Sequence, residues 1–339
     1  MNREDLMYKR VTRADVARRA GVSETIVSYV VNKNRYVDKD KRKQVEEAIR
    51  ELNYRPNNIA RALKGKGSNH ILFIADQIEN EHFGKLIAEM DKYAYDKGNM
   101  VSLCANRNTS EFLSHIISHQ YDGVIISSNS FPKEYIEQLV AARLPVVLLR
   151  NREYDMIHGV AMIGTGLYDG ARDCVRHLVE RGRKAILYLG QFSEHHNFDT
   201  ASDMRYRGFV EQMKEYGISL LQKNIITDCR SPQEAAGKLF MRLSGSERVD
   251  AIFGHNDYLA CIGMKTAQGM GYKVPEDIAV IGFDNSNLSQ YTTPTLSTLE
   301  IHRADIGKAA IEMLCQMIKN QIIPDPVDFP ATLIPREST

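Results

Sequence analysis

Residues 11–32 read VTRADVARRAGVSETIVSYVVN, and this stretch decides the fold of the N-terminal part of the chain. Its apolar residues recur at helical spacing in two short runs, which Gly21 separates, and Ser23 can cap the second run. A third run of the same period follows at 40–54. The inward-facing residues of the three runs are Val16, Ala17, Ala20, Val27, Val30, Val31, Val45, Ala48, Ile49 and Leu52. Because two short helices joined by a glycine-bearing turn are typical of a helix-turn-helix, we predict an all-α helix-turn-helix head.

The outward positions of the second run are those that a helix-turn-helix presents to the bases of the major groove. They are Ser23, Glu24, Thr25, Ile26 and Tyr29. A glutamate can accept from a cytosine amine, a threonine can contact a polar edge or a thymine methyl group, and a tyrosine can stack or hydrogen-bond. The alternative is a protein-binding helix, which the basic surroundings disfavour.

The charge of the chain is divided unevenly. Residues 1–67 carry 17 Lys and Arg against 9 Asp and Glu, whereas the remaining 272 residues carry 27 against 34. A basic head on an acidic body attracts polyanions, of which phosphate backbones are the commonest. A solvated charged face remains the alternative on charge alone.

From about residue 70 onward, short apolar runs alternate with segments of helical period. Runs without polar alternation are typical of strands covered on both faces, and strand–helix repetition implies parallel sheets. The charged stretch at 150–160 lies midway and indicates two lobes with a cleft between them. We therefore predict an α/β body of two doubly wound parallel-sheet lobes. The predicted strands are 71–76, 101–104, 121–127, 144–149, 160–164, 185–190, 224–227, 249–256 and 278–285.

Several classes of protein are disfavoured. Five separated cysteines without a CxxC pair argue against a disulfide or zinc framework and fit a cytoplasmic protein. The N-terminal residues lack the apolar region of a signal peptide, and no apolar run approaches a membrane span. The catalytic motifs GxSxG, HExxH and GxxxxGK[ST] are absent. The glycine-rich stretch 164–170 has the wrong spacing for a nucleotide loop. We expect no enzyme activity, cofactor or metal.

Polar residues follow several of the predicted strands, where open parallel sheets bind their ligands. They are Asp76, Ser127, Ser128, Arg150, His255, Asn256 and Asp284. Each of them alone could be a turn or a helix cap. Together, at the ends of separate strands, they indicate a site for a small polyol-like ligand.

Residues 11–32 and the segment VDKDKRKQVEEAIRELNYRPNNIARALKGK at 37–66 resemble the LacI/GalR family of bacterial transcription regulators. The resemblance covers essentially the whole chain and continues through RYRGF, GFDN, PTLSTL and REST. It implies a repressor, a homodimer on palindromic operator DNA and a periplasmic-binding-protein-like body. The implied domains are a DNA-binding head (1–55), a hinge helix and linker (56–69) and an effector-binding and dimerisation domain (70–339). The implied lobes are 70–160 plus 293–323 and 161–292 plus 324–339.

The resemblance also implies which residues contact DNA. They are Thr12, Ser23, Glu24, Thr25, Ile26, Tyr29, Asn32, Tyr36, Tyr54, Asn57, Ala60 and Leu63. Among them Glu24, Thr25 and Tyr29 fall on base-reading positions, and Leu63 matches a wedge that opens a base step from the minor groove. Ser23, Asn32, Tyr36 and Tyr54 fall on positions that hold phosphates, and Asn57 falls on a hinge contact. Tyr29 stands where many relatives have an arginine, so a bidentate guanine reader is missing from the second helix.

The implied effector-binding residues are Asp76, Phe83, Arg150, Arg205, Asn256 and Asp284. Arg205 matches an arginine that grips ligand hydroxyls. Arg150 stands where an acid or amide is common, and two arginines in the cleft would favour a sugar phosphate or sugar acid over a neutral sugar. Alternatively, Arg150 pairs with Glu153 or Asp155. A carbohydrate-like effector would control DNA affinity; the alternative is a phosphoprotein corepressor.

Overall fold

The computed structural model describes residues 11–55, 67–154, 156–193 and 199–339. The chain divides into two compact units, 1–68 and 69–339. The predicted hinge helix, with Asn57, Ala60 and Leu63, lies outside the described residues. No helix within the described ranges is both long and apolar enough to span a membrane.

The head contains the three predicted helices: α1 (Arg13–Ala20), α2 (Glu24–Asn32) and α3 (Lys39–Glu51). Their ends follow from local hydrogen bonding. Thr12 and Asp15 form a reciprocal capping box at the start of α1. Gly21 ends α1 in a left-handed conformation, with φ at 65°, which glycine adopts without strain. The prediction that Ser23 caps α2 is confirmed, because its hydroxyl accepts from the backbone N–H of Ile26.

The core of the head consists of the residues that the periodicity placed inward. Val16, Val27 and Val45 come from the three helices, and each has no exposed surface. Val31, Ile49 and Leu52 are half-buried and pack against this core. The remaining face of α2 is thereby left to its polar and aromatic side chains.

The first lobe is built on a parallel sheet with strand order β11-β5-β4-β3-β1-β2. Its strands are β1 (His70–Ala75), β2 (Met100–Ala105), β3 (Gly123–Ser127), β4 (Val146–Arg150), β5 (Ala161–Gly164) and β11 (Val327–Asp328). Its helices are α4 (Glu81–Asp96), α5 (Ser110–Ser118), α6 (Lys133–Ala141) and α11 (Arg303–Asn320). The order 2-1-3-4-5 of the first strands is that of a doubly wound sheet.

The second lobe repeats this design with strand order β7-β6-β8-β9. Its strands are β6 (Ile186–Leu189), β7 (Ile225–Ile226), β8 (Ala251–Gly254) and β9 (Ala279–Ile281). Its helices are α7 (Leu167–Glu180), α8 (Met204–Glu215), α9 (Pro232–Leu243) and α10 (Asp257–Gly269). A separate antiparallel pair, β10 (Thr298–Glu300) with β12 (Thr332–Ile334), accompanies the crossing between lobes. The nine predicted strands are all present, and both sheets are parallel as predicted.

The lobe boundary predicted at residue 160 is wrong by one strand. Residues 161–164 form β5, which pairs with β4 in the first sheet, and 327–328 extend the same sheet as β11. The charged stretch at 150–160 is therefore a connection between neighbouring strands of one lobe. Its charge still marks the junction of the lobes, because the backbone of Glu153 donates to Ser202 and its carboxylate pairs with Arg207.

Close helix packing in the second lobe depends on Gly208 in α8. A Cβ atom built at Gly208 would lie 2.2 Å from the carbonyl oxygen of Tyr168 in α7. Only a residue without a side chain permits this approach of the two helices. Gly237 in α9 is a matched contrast, since a Cβ there would meet no atom within 4 Å.

We expect Gly208→Ala to destabilise the body by about 1–3 kcal/mol, because backbone must move to admit the methyl group. Gly237→Ala should instead stabilise it by roughly 0.5–1 kcal/mol through helix propensity. Urea denaturation of both variants measures the difference. A Gly208→Ala variant as stable as Gly237→Ala would contradict the packing argument.

Candidate functional site

The exposed N-terminal end of α2 carries the predicted base-reading residues. Glu24 and Thr25 are exposed, and Tyr29 is half-exposed one turn beyond Thr25, on the same stripe of the helix. Ile26 is half-buried and also packs on the core of the head. The geometry therefore presents a polar stripe that a major groove can accommodate.

The predicted phosphate-contacting residues have different structural settings. Tyr36 is 87% exposed, in the loop after α2. Asn32 lies at the end of α2, and its amide donates to the carbonyl and hydroxyl oxygens of Ser28. Thr12 caps α1 and is exposed. Tyr54 is 5% exposed and belongs to the core of the head, so its side chain has a packing role that the sequence did not predict.

A contact that the sequence did not predict joins Tyr29 to Arg35. The guanidinium of Arg35 lies over the Tyr29 ring, 5.2 Å from its centre. One of its N–H groups donates to the Tyr29 hydroxyl at 3.4 Å. The arginine comes from the loop after α2, so helical spacing gave no signal for it.

The second site is a cavity between the lobes of the body, at the point where strand order reverses in each sheet. In the first sheet β1 is followed by Asp76, and β3 ends at Ser127. In the second sheet β8 is followed by His255 and Asn256. Doubly wound sheets bind ligands at such switch points, beyond the carboxyl ends of their strands.

The cavity brings together five of the six predicted effector-binding residues: Asp76, Phe83, Arg205, Asn256 and Asp284. The sequence missed several further lining residues, namely Asn80, His82, Asn129, Asn151, Thr165 and Gln191. Four of these, Asn129, Asn151, Thr165 and Gln191, follow strands β3 to β6, so the signal that found Asp76 could have found them. Asn80 and His82 lie around the start of α4, and no pattern in the sequence marks them.

Arg150 does not line the cavity, and its predicted place there is wrong. Side chains of a strand point alternately to opposite faces, and Leu149 and Asn151 are the neighbours that face the cavity. Arg150 consequently shares the opposite face with Leu148, which packs in a different core cluster from Leu149. Of its two suggested partners, Glu153 pairs with Arg207 and Asp155 lies outside the described residues.

Asp76 holds the loop that follows β3. Its carboxylate accepts from the hydroxyls of Ser128 at 2.5 Å and Ser130 at 2.6 Å, and from the backbone N–H of Asn129 at 2.6 Å. These bonds position the Asn129 side chain to reach the second lobe, where its amide donates to Asp203 at 2.5 Å. The same Asp203 oxygen accepts from His255 at 3.0 Å.

Asp284 is the centre of a buried charge cluster. It pairs with Arg205 at 3.0 Å, and His82 lies 3.8 Å from the same oxygen. Arg303, the first residue of α11, donates to the Asp284 carbonyl oxygen at 2.8 Å. Burial would raise the pKa of Asp284, but His82 and the two guanidiniums outweigh it and lower the pKa below its usual value. Burial, together with the nearby arginines, lowers the pKa of His82 to about 4, so the imidazole is neutral at pH 7.

Four buried polar atoms around the cavity have no hydrogen-bond partner within the described residues. They are Arg205 Nε, His255 Nδ1, Asn129 Oδ1 and Thr165 Oγ1. Buried polar groups of proteins are nearly always paired, and unpaired ones cost about 1–3 kcal/mol each. All four residues line the cavity, and donors and acceptors of this kind fit a ligand that carries hydroxyl or similar groups. Within the described ranges, no group of His, Cys, Asp and Glu side chains could hold a metal ion.

Comparison with known proteins bears on both sites. Residues 12–57 match the family described as "Bacterial regulatory proteins, lacI family", and residues 175–339 match "Periplasmic binding protein-like domain". The HTH-type transcriptional repressor PurR of Edwardsiella ictaluri (strain 93-146) is 31% identical over 91% of this chain and 90% of its own. The chain belongs to the LacI family of bacterial regulatory proteins.

Other LacI-family proteins are similar over nearly the same span. PurR of Pectobacterium carotovorum subsp. carotovorum (strain PC1) is 30% identical over 91% of this chain and 90% of its own. The solved structure of a lac repressor dimer bound to operator and the anti-inducer ONPF is 25% identical, with a TM-score of 0.81 over 98% of this chain and 99% of that one. This LacI-family protein is therefore a ligand-binding transcriptional repressor rather than an enzyme.

One further carboxylate lies next to the Asp284 loop of this LacI-family body. Asp257, the first residue of α10, accepts from the backbone N–H of Ser286 at 2.6 Å and from its hydroxyl at 2.9 Å. Its second oxygen accepts from the hydroxyl of Thr298. Burial, and after it the negative charge of Asp284, raises the pKa of Asp257 to about 7.

We expect Asp257→Asn to remove part of the pH dependence of stability. Because the pKa of about 7 in the folded state lies above the ordinary 3.8, the folded protein keeps a proton that the unfolded chain releases. The stability due to this group is complete below the ordinary pKa and is lost as the pH rises through about 7, at roughly 1.4 kcal/mol per unit. An asparagine can keep both interactions, with its oxygen accepting from Ser286 and its NH2 group donating to Thr298.

Chemical denaturation of both proteins between about pH 4 and pH 8 measures this difference. As the pH rises over this range, the free energy of unfolding of the variant should increase by a few kcal/mol relative to that of the wild type. Parallel stability profiles over this range would contradict the assignment of a neutral Asp257.

Proposed function

We propose that this LacI-family repressor binds, between its lobes, a small uncharged polyhydroxylated effector of carbohydrate type. The observation that carries the proposal is the set of four unpartnered polar atoms around the cavity. They combine the guanidinium donor of Arg205 with the amide oxygen of Asn129, which accepts, and with the hydroxyl of Thr165, which can donate and accept. Vicinal hydroxyl groups, each a donor and an acceptor, match such a set.

The charge around the cavity supports an uncharged ligand. Asp284 pairs with Arg205, Asp76 lines the same cavity, and His82 is neutral at pH 7 because its pKa is about 4. Arg150 lies on the opposite face of β4, so the sequence-based pairing of Arg150 with Arg205 does not form. Arg230 lines the adjoining open part of the cleft, which Asp76, Asp257 and Asp284 also line. This balance removes the sequence-based argument for an anionic effector.

The mechanism we propose is a shift between two arrangements of the lobes. The enclosed space around Arg205 has about 30 Å³ of free space, whereas the adjoining open part of the cleft, which Asp76, Asn256 and Asp284 also line, has about 940 Å³. A sugar would therefore reach Arg205 only if the lobes or side chains moved. Contacts that close the lobes are available: Asn129 donates to Asp203, Gln77 donates to the carbonyl of Phe192, and the Asn287 N–H donates to Glu81. A ligand that binds the two arrangements with different affinity would change their populations and thereby DNA affinity.

The operator-binding form we propose is a homodimer on palindromic DNA, with α2 of each head in a major groove. Support comes from the lac repressor, whose solved dimer binds its operator and has the same fold over 98% of this chain. The direct contacts we propose are those of Glu24, Thr25 and Tyr29 with bases, and of Ser23, Asn32 and Tyr36 with phosphates. The positions of Asn57, Ala60 and Leu63 remain predictions.

In vitro selection from a randomised duplex library tests the DNA-binding role. We expect the full chain to enrich a palindrome, and its affinity to fall at least about a hundredfold between roughly 50 and 200 mM salt, because phosphate contacts release counterions. Failure to enrich any sequence, or a flat salt response, would contradict the assignment.

Calorimetry of the body with neutral sugars, and with their phosphorylated and acidic forms, tests the effector class. We expect a neutral sugar to bind, and Arg205→Met to abolish that binding, because the ligand then loses its charged donor. Tyr216→Ser, at the exposed residue that follows the end of α8 distant from Arg205, is the control and should bind as the wild type does. Binding of the anionic forms alone would overturn the uncharged-ligand proposal.

A further inference from the structure

The starting observation is that α2 lacks an arginine at its central reading position, yet a guanidinium occupies the same surface. Tyr29 holds that position, and Arg35 places its guanidinium over the Tyr29 ring, 5.2 Å from the ring centre. The hydrogen bond from Arg35 to the Tyr29 hydroxyl, at 3.4 Å, fixes which edge of the guanidinium faces the tyrosine. The pair therefore forms one composite surface rather than two independent side chains.

The loop that carries Arg35 is held at both ends. Lys33 ends α2 in a left-handed conformation with φ at 52°, and Asn32 closes the last turn by donating to Ser28. Four residues later Val37 is 8% exposed and packs in the core of the head. A loop this short between two fixed points leaves Arg35 little choice of position, so the guanidinium is placed by the fold as well as by the tyrosine.

We propose that Arg35, positioned by the Tyr29 ring, reads a guanine in each operator half-site. Guanidinium has five N–H donors in a planar fork, of which the contact with Tyr29 uses one. The remaining donors can meet the O6 and N7 acceptors of guanine, the commonest specific contact in the major groove. Stacking on an aromatic ring orients the guanidinium plane, which a bidentate contact requires. The proposal rests on the operator-binding function proposed above.

The competing role for an exposed arginine in a basic head is a phosphate contact. A phosphate contact adds affinity equally to all sequences, whereas a base contact adds it only to those with the matching base. The two roles therefore differ in sequence preference and not simply in affinity. Tyr29 would serve as a positioning residue in the first role and would have no part in the second.

The test is in vitro selection with the full chain, in parallel for the wild type, Arg35→Ala, Tyr29→Ala and Tyr29→Phe. The wild type should enrich guanine at one position of each half-site. Arg35→Ala should lose that preference by about tenfold to a hundredfold while keeping the rest of the motif. Tyr29→Ala should lose the guanine preference to the same extent, together with any preference for a base that Tyr29 itself contacts. Tyr29→Phe keeps the ring and should retain most of the preference. Arg50→Ala, which removes an exposed arginine from α3, is the matched control and should leave all preferences unchanged.

Competition titrations with the enriched operator and a non-specific duplex complete the experiment. If Arg35→Ala weakens both duplexes equally and reduces the salt dependence by about one phosphate contact, Arg35 contacts the backbone and the proposal is wrong. An unchanged guanine preference in Arg35→Ala, or a preference lost in Tyr29→Phe as fully as in Tyr29→Ala, would overturn it as well. If the wild type enriches no sequence, the operator-binding function itself fails. Thermal unfolding of each variant confirms that the head remains folded.

Discussion

The buried ion pair between Arg205 and Asp284 is the interaction on which the cavity depends. Both side chains are less than a tenth exposed, and a charge in such surroundings is tolerated only when it is paired. Asp284 and the following Asn285 also have positive φ angles, 95° and 43°, which residues with side chains rarely adopt. Arg303 holds the carbonyl of Asp284 from the first lobe, while Arg205 holds its carboxylate from the second. Asp284, which lines the cavity, is thus bonded to elements of both lobes.

Sheet topology explains why the remaining polar residues converge. Each sheet reverses its strand order between its first and third strands, so the segments that follow these strands diverge and leave room between them. Asp76 and Asn129 come from the first sheet, and His255 and Asn256 come from the second. Their side chains meet across the cleft because the two sheets present equivalent edges to each other.

Periodicity predicted most of the fold because the strands are buried on both faces and the helices on one. It missed β10, β11 and β12, whose two or three residues are too short to show a period. The lobe boundary was placed one strand too early because charge marks an exposed connection regardless of which sheet the next strand joins. Only pairing of β5 with β4 decides that question.

Residue type and position after a strand located five residues that line the cavity, namely Asp76, Ser127, His255, Asn256 and Asp284, but they could not settle orientation. Phe83 and Arg205 were indicated by the family resemblance alone. Arg150 differs from Asn151 by a single position, and a single position reverses the face to which a strand side chain points. Contacts between residues distant in sequence, such as Asn129 with Asp203, left no local signal. The Arg35–Tyr29 contact also escaped prediction, because it joins a loop to a helix and follows no helical spacing.

The unpartnered polar atoms of the cavity have a consequence for the lifetime of the protein in the cell. Each reduces the stability of the ligand-free form, and a ligand that satisfies them would restore it by mass action. Proteases act on transiently opened molecules, and the population of these follows stability. The supply of effector would therefore set how many repressor molecules survive degradation, in addition to how tightly each one holds its operator.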